Sequence, residues 1–168
     1  MVDLSAVHTA IVRAPIDVAQ LLKRVADDGV GAITLFLGTV RNLNDGRAVT
    51  GIDYEAYDAM AESELQRIAS EIAGSAAGIR LAIEHRIGTL ALGEVSVAIA
   101  AGHARRAVAL DASRAAIEAI KQRLPIWKRE HYQDGDFSWV DPTLGVQLSV
   151  TRRDSSTGDE PAAAVCAK

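Results

Sequence analysis

The stretch Ile117-Glu118-Ala119-Ile120-Lys121-Gln122-Arg123-Leu124-Pro125-Ile126-Trp127-Lys128-Arg129-Glu130 decides how this chain is read. It gives the last turns of an amphipathic helix, a proline stop, and a short segment with an aromatic and two more cations. On a wheel of about 100° per residue with Leu110 at zero, Ile117 falls at about 340°, Leu124 at about 320° and Ile120 at about 280°. Lys121 falls at about 20° on the same wheel, inside that apolar arc, with Arg114 at about 40° and Arg106 at about 320°. A cation so placed must lose water, find an anion, or reach outward along its stem. The expectation is a helix face that mixes core residues with cations that serve a purpose.

Working outward, the helix spans about Arg105 to Leu124, since Pro125 and its effect on the preceding residue end it. Towards the N-terminus, Val7 to Val12 reads as a strand. Pro15 opens a helix with Asp17 in its first turn and Gly29 closes it. Gly31 to Leu37 is continuously apolar and reads as a buried strand running into Gly38-Thr39-Val40-Arg41-Asn42. Val49 to Tyr57 is a strand and Ala59 to Ala73 a helix. Ile79 to Ile87 alternates as a half-exposed strand should, which makes His85 and Arg86 surface residues without chemistry. Glu94 to Ala100 is a further strand, joined through Gly88 and Gly93. Phe137 to Val140 and Gly145 to Val150 read as short closing strands. The expected class is α+β, one domain over residues 1–151 with a mostly antiparallel sheet and flanking helices, followed by a disordered tail over residues 152–168.

The whole chain of 168 residues has net charge -4, which gives no broad footprint for nucleic acid, and it has only seven aromatic residues. Between His103 and His131, however, seven Arg and Lys face three acids. A local cationic cluster on an acidic protein suits a small anion better than a polymer. The single cysteine, Cys166, permits no internal disulfide and is not placed as a nucleophile. The four histidines lack paired ligand spacing, so neither a metal nor a cofactor is expected. No stretch reads as a signal peptide or a bilayer span, and a cytoplasmic location follows as the expectation. From the residues alone, three readings stay open: an enzyme acting on a small anion, a module that binds an acidic protein tail, and a Schiff-base lyase using Lys121.

Four segments taken together go further: Phe36-Leu37-Gly38-Thr39-Val40-Arg41-Asn42, Tyr54-Glu55-Ala56-Tyr57, His85-Arg86-Ile87-Gly88 with Gly93-Glu94, and Lys121 with Pro125-Ile126-Trp127-Lys128-Arg129-Glu130. Over roughly residues 5 to 140 the chain resembles the catalytic (large) subunit family of molybdopterin synthase. The resemblance implies an α/β hammerhead fold and a sulfurtransferase that converts cyclic pyranopterin monophosphate to molybdopterin. Sulfur would arrive as a thiocarboxylate on the Gly-Gly end of a small ubiquitin-like carrier. Two large subunits would form a homodimer within a heterotetramer. Carried over by position, the catalytic residues are Lys121 and Lys128, and the substrate-binding set adds Thr39, Val40, Arg41, Arg105, Arg106, Arg129 and Glu130. Arg106 is implied to act across the dimer. The family's histidine before it is replaced here by Arg105. Either Arg105 takes over the anion contact or His103 swings into the space.

Overall fold

The computed structural model describes residues 6–141 and 146–150, and the tail expected beyond residue 151, with Cys166, lies outside them. Two sheets organise the chain. The first has strand order β1-β5-β7-β2, built from β1 (Val7–Val12), β2 (Ala32–Thr39), β5 (Arg80–Arg86) and β7 (Val95–His103). The second has order β10-β9-β8-β4-β3, with β6 (Gly88–Ala91) also paired to β4 (Arg47–Ala56). Its other members are β3 (Leu43–Asn44), β8 (Ile126–Tyr132), β9 (Phe137–Asp141) and β10 (Val146–Val150). β1 runs parallel to β5, and every other pairing among the described residues is antiparallel. The α+β, mostly antiparallel expectation holds.

Helices cover both faces of the first sheet. Leu21 and Val25 of α1 (Val18–Val25) pack on Ala82, Ala98 and Ala100. On the opposite face, α2 (Asp58–Ala73) and α3 (Arg106–Arg123) enclose Leu81, Ile83, Val97 and Ile99 with Leu65, Ile68 and Ala116. Asp17 lies outside α1 as its cap, its side chain accepting from the Gln20 amide, which supplies one otherwise unmatched donor with a partner. None of the described helices is long and apolar enough to cross a membrane.

Two strand readings are corrected. β2 is not buried on both faces, because α1 lies mainly over β5 and β7 and only touches this edge strand. Ile33, Leu35 and Leu37, in register with Gly102, Ala100 and Ala98, stay 42%, 40% and 39% exposed. β5 is not half-exposed, because helices cover both its faces, and His85 is only 7% exposed. The wheel is corrected as well. The face of α3 that is buried carries Ala109, Ala112, Ser113, Ala116 and Ile120, whereas Leu110 is 57% exposed. That face is centred at about 260° on the wheel used above. Small residues let α3 lie close to the sheet, where the Thr34 hydroxyl donates to the Ala109 carbonyl at 3.2 Å. Lys121 therefore lies about 120° from the centre of the buried face, not inside it, and is exposed in the single chain.

Candidate functional site

The end of α3 and the start of β8 form a corner because Pro125 stops the helix and Ile126 begins the strand. β8 pairs along β4, with Lys128 opposite Tyr54 and Glu130 opposite Ile52. This brings Lys121, Lys128, Thr39 and Tyr54 around one cleft of about 250 Å³. Its walls are apolar, from Phe36, Val97, Ile117, Ile120, Leu124 and Ile126. Gly38 keeps it open, since a Cβ there would lie 2.7 Å from the Val97 side chain. A second groove, lined by Thr39, Val40, Arg41 and Asn42, adjoins it through Thr39.

Hydrogen bonds tie the two openings together. The Arg41 guanidinium donates to Asn44 Oδ1 at 3.2 Å, and Asn44 Nδ2 donates to Glu130 Oε2 at 2.8 Å. Glu130 Oε1 accepts from Lys128 Nζ at 2.8 Å, and the Tyr132 hydroxyl donates to Oε2 at 2.9 Å. Burial pushes the Glu130 carboxyl upward, but the Lys128, Tyr132 and Asn44 donors more than offset it and hold it below the usual carboxylate range. Glu130 thus fixes Lys128 and is itself buried, with its oxygens occupied. Asn44 escaped the sequence reading because an asparagine in a polar loop carries no spacing signal.

Alternation along β8 sends Arg129 to the other side of its sheet from Lys128. There it bonds Asp53 at 2.5 Å and lies over the Trp139 ring at 5.2 Å, while His131 reaches the same carboxylate at 2.7 Å. Burial works against the Asp53 charge, but hydrogen bonds from Arg129, His131 and Thr89 prevail and bring its pKa down to about 2. The structure does not bring Arg129 into the cleft. Val40 packs its side chain with Val49, Ile52 and Leu90, and its amide and carbonyl are taken by Glu94 and Gly93.

Arg105 and Arg106 stand exposed at the start of α3. Arg106 precedes Lys121 by fifteen positions in α3, which is about 22 Å of helix, so the two cannot meet in one chain. His103 does not swing free. It is 5% exposed, Nδ1 accepts the Arg105 amide at 2.9 Å, and Nε2 donates to the Ala77 carbonyl at 3.1 Å. A larger hollow of about 560 Å³ lies near it, but its cation, Arg80, is already 3.7 Å from Asp27.

The sequence reading passed over His85, which lines the lysine cleft. Its Nδ1 donates to the Arg86 carbonyl at 3.0 Å, and its ring meets Tyr54 edge-on at 5.5 Å. Burial pulls its pKa from 6.5 down to about 4, with the Arg86 hydrogen bond opposing the shift. The unfolded chain therefore takes up this proton at a higher pH than the folded one. Stability from the neutral ring is complete above pH 6.5 and declines as pH falls through 6.5 towards 4, by about 3 kcal/mol in all. His85→Phe is expected to lose about 2 kcal/mol less than the parent chain between pH 7 and pH 4.5, read by urea denaturation. Equal losses in both proteins would show that His85 does not titrate in this way.

The fold and cleft define an α+β domain in which two lysines line one narrow, mostly apolar cleft. The chain belongs to the MoaE protein family, whose model matches residues 11–123. It is 44% identical over 142 residues to the molybdopterin synthase catalytic subunit of Halalkalibacterium halodurans, covering 84% of this chain and 88% of the relative. Identity to the Bacillus subtilis catalytic subunit is 42% over 141 residues, with 84% and 87% covered. The crystal structure of molybdopterin synthase from Staphylococcus aureus is similar with a TM-score of 0.74 and 38% identity, covering 77% of this chain and 94% of that one.

Proposed function

We propose that this chain is the catalytic subunit of a cytoplasmic molybdopterin synthase. It takes sulfur from the thiocarboxylate end of a small ubiquitin-like carrier and passes it to cyclic pyranopterin monophosphate. The observation that carries this reading is the meeting of Lys121 and Lys128 in one narrow, apolar-walled cleft. Sulfur transfer from an acyl carbon passes through oxyanion-like species, and fixed cations in a water-poor site stabilise such charge strongly. Lys128 holds its place through Glu130, and Lys121 is left to meet the incoming anion. Arg41, in the adjoining groove, has the fork geometry suited to phosphate oxygens. The lone cysteine, Cys166, is outside the described residues, and an external sulfur donor agrees with a cleft lined without thiols.

The direct test is incubation with thiocarboxylated carrier and the pterin precursor, reading out the dithiolene. Carrier binding without product would leave a binding module. Borohydride trapping of a carbonyl substrate on Lys121 would favour the Schiff-base lyase instead.

The separation of Arg106 from Lys121 supports a dimer in which each cleft borrows Arg106 from the partner. Mixing Arg106→Ala chains with Lys121→Ala chains is expected to restore activity, because a mixed dimer holds one cleft with both residues intact. Each variant alone has none. Failure of mixed dimers to exceed either parent in a product assay would remove Arg106 from the partner's cleft.

A further inference from the structure

Among the polar groups of the cleft that the scheme above leaves idle, His85 is the one whose free ring nitrogen can only accept. His85 commits its Nδ1 proton to the Arg86 carbonyl, so Nε2 keeps a bare lone pair and can only accept. Nε2 has no partner among the described residues. His85 lines the cleft, and Nε2 is its one ring nitrogen not committed to the backbone. The other side chains there differ in kind: Lys121 and Lys128 only donate, while the Thr39, Tyr54 and Ser96 hydroxyls can do either, Ser96 already donating to the Gly38 carbonyl at 3.2 Å.

We propose that His85 Nε2 accepts the last peptide N–H of an extended glycine-ended tail whose anionic terminus lies between Lys121 and Lys128. This rests on the function proposed above and adds a tail-recognition residue to it. A peptide N–H drawn between Phe36, Ile117, Ile120 and Ile126 loses its water, and leaving it unmatched costs about 1–3 kcal/mol. In a tail ending in glycine, that N–H is separated from the terminal carbon by a single Cα, so one residue presents a donor and an anion together. The acceptor and the two lysines answer both. Drug-sized ligands occupy about 300 Å³ or more, so a cleft of about 250 Å³ suits two glycines better than a phosphorylated tricycle. Burial keeps the imidazole neutral through the physiological range, which preserves the lone pair.

The test measures calorimetric binding of the full chain to two probes: a carrier with a plain carboxylate end, and the same carrier without its last glycine. His85→Phe keeps a flat ring but removes the acceptor, and is expected to weaken the intact carrier about tenfold, the worth of one hydrogen bond. The truncated carrier should bind parent and variant alike. His85→Gln, whose carbonyl accepts, should recover most of the loss. In the parent protein, the ¹⁵N resonance of His85 Nε2 should move on adding intact carrier and stay put with truncated carrier, a readout that needs no variant to fold. Unchanged affinity in His85→Phe, equal losses for both probes, or a stationary Nε2 signal would overturn the assignment to His85 alone. A parent chain that binds both probes equally would overturn the tail-insertion reading itself, and this inference with it.

Discussion

Lys121→Ala is expected to cut sulfur transfer by about 10²–10³ in single turnover while leaving the protein folded, the scale seen when one group stabilising an oxyanion is removed. Lys121 makes no hydrogen bond or ion pair with any described residue and is exposed in the single chain, so truncation leaves no buried partner stranded. Its stability should therefore change by no more than an ordinary surface substitution does, about 0.5 kcal/mol. In the function proposed above, Lys121 meets charge that arrives with a ligand. Lys121→Arg should retain part of the activity, because the charge survives but a planar fork replaces a compact ammonium. The measurement is dithiolene formed per active site after mixing with excess thiocarboxylated carrier. A folded Lys121→Ala chain turning over at the parental rate would remove Lys121 from the reaction.

The route to Lys121 from the sequence used the wrong helix geometry, although Lys121 does line the cleft. Large side chains set the wheel's origin at Leu110, but alanines form the packed face of α3, because they allow close approach to the sheet. Hydrophobicity scales weight size, and here size was the wrong guide. Most strands were legible from their apolar runs and glycine ends. β8 was not, since Ile126 to Tyr132 reads as charged, and its strand state depends on pairing to β4 and β9. That pairing also separates Lys128 from Arg129, a distinction that neighbours in sequence cannot reveal until the segment is known to be extended. His85 was missed for a related reason. Alternation marked β5 as half-exposed, whereas helices on both faces buried it, and no local pattern reports what packs on the far side of a sheet. The lysine-rich ending was readable because Pro125 fixes where the helix stops and so where the next cations turn.

Glu130→Ala should be the most damaging single change to stability among the site residues. Its carboxylate is 2% exposed and receives Lys128, Asn44 and Tyr132 together. Removing it strands two neutral donors and one ammonium, each of which was matched while the carboxylate was present. Breaking a buried pair from one side costs about 3–5 kcal/mol, but Lys128 is 27% exposed and can turn towards solvent, so about 2–4 kcal/mol is the expected loss. Glu130→Gln keeps the volume and one acceptor, and should cost roughly half as much. Activity should respond differently from stability. In both variants Lys128 loses its charged partner, so its hold in the cleft weakens and sulfur transfer should fall at least about tenfold even at temperatures where the chain is fully folded. Because the native carboxyl is held below its unfolded value, its contribution is present above pH 4.5 and disappears as pH falls through the folded pKa. The deficit of Glu130→Gln relative to the parent should therefore shrink in acid. Urea titrations at pH 7 and pH 4 check this: a deficit that is constant or grows at pH 4 would mean that Glu130 is not held as a charged acceptor in the folded chain.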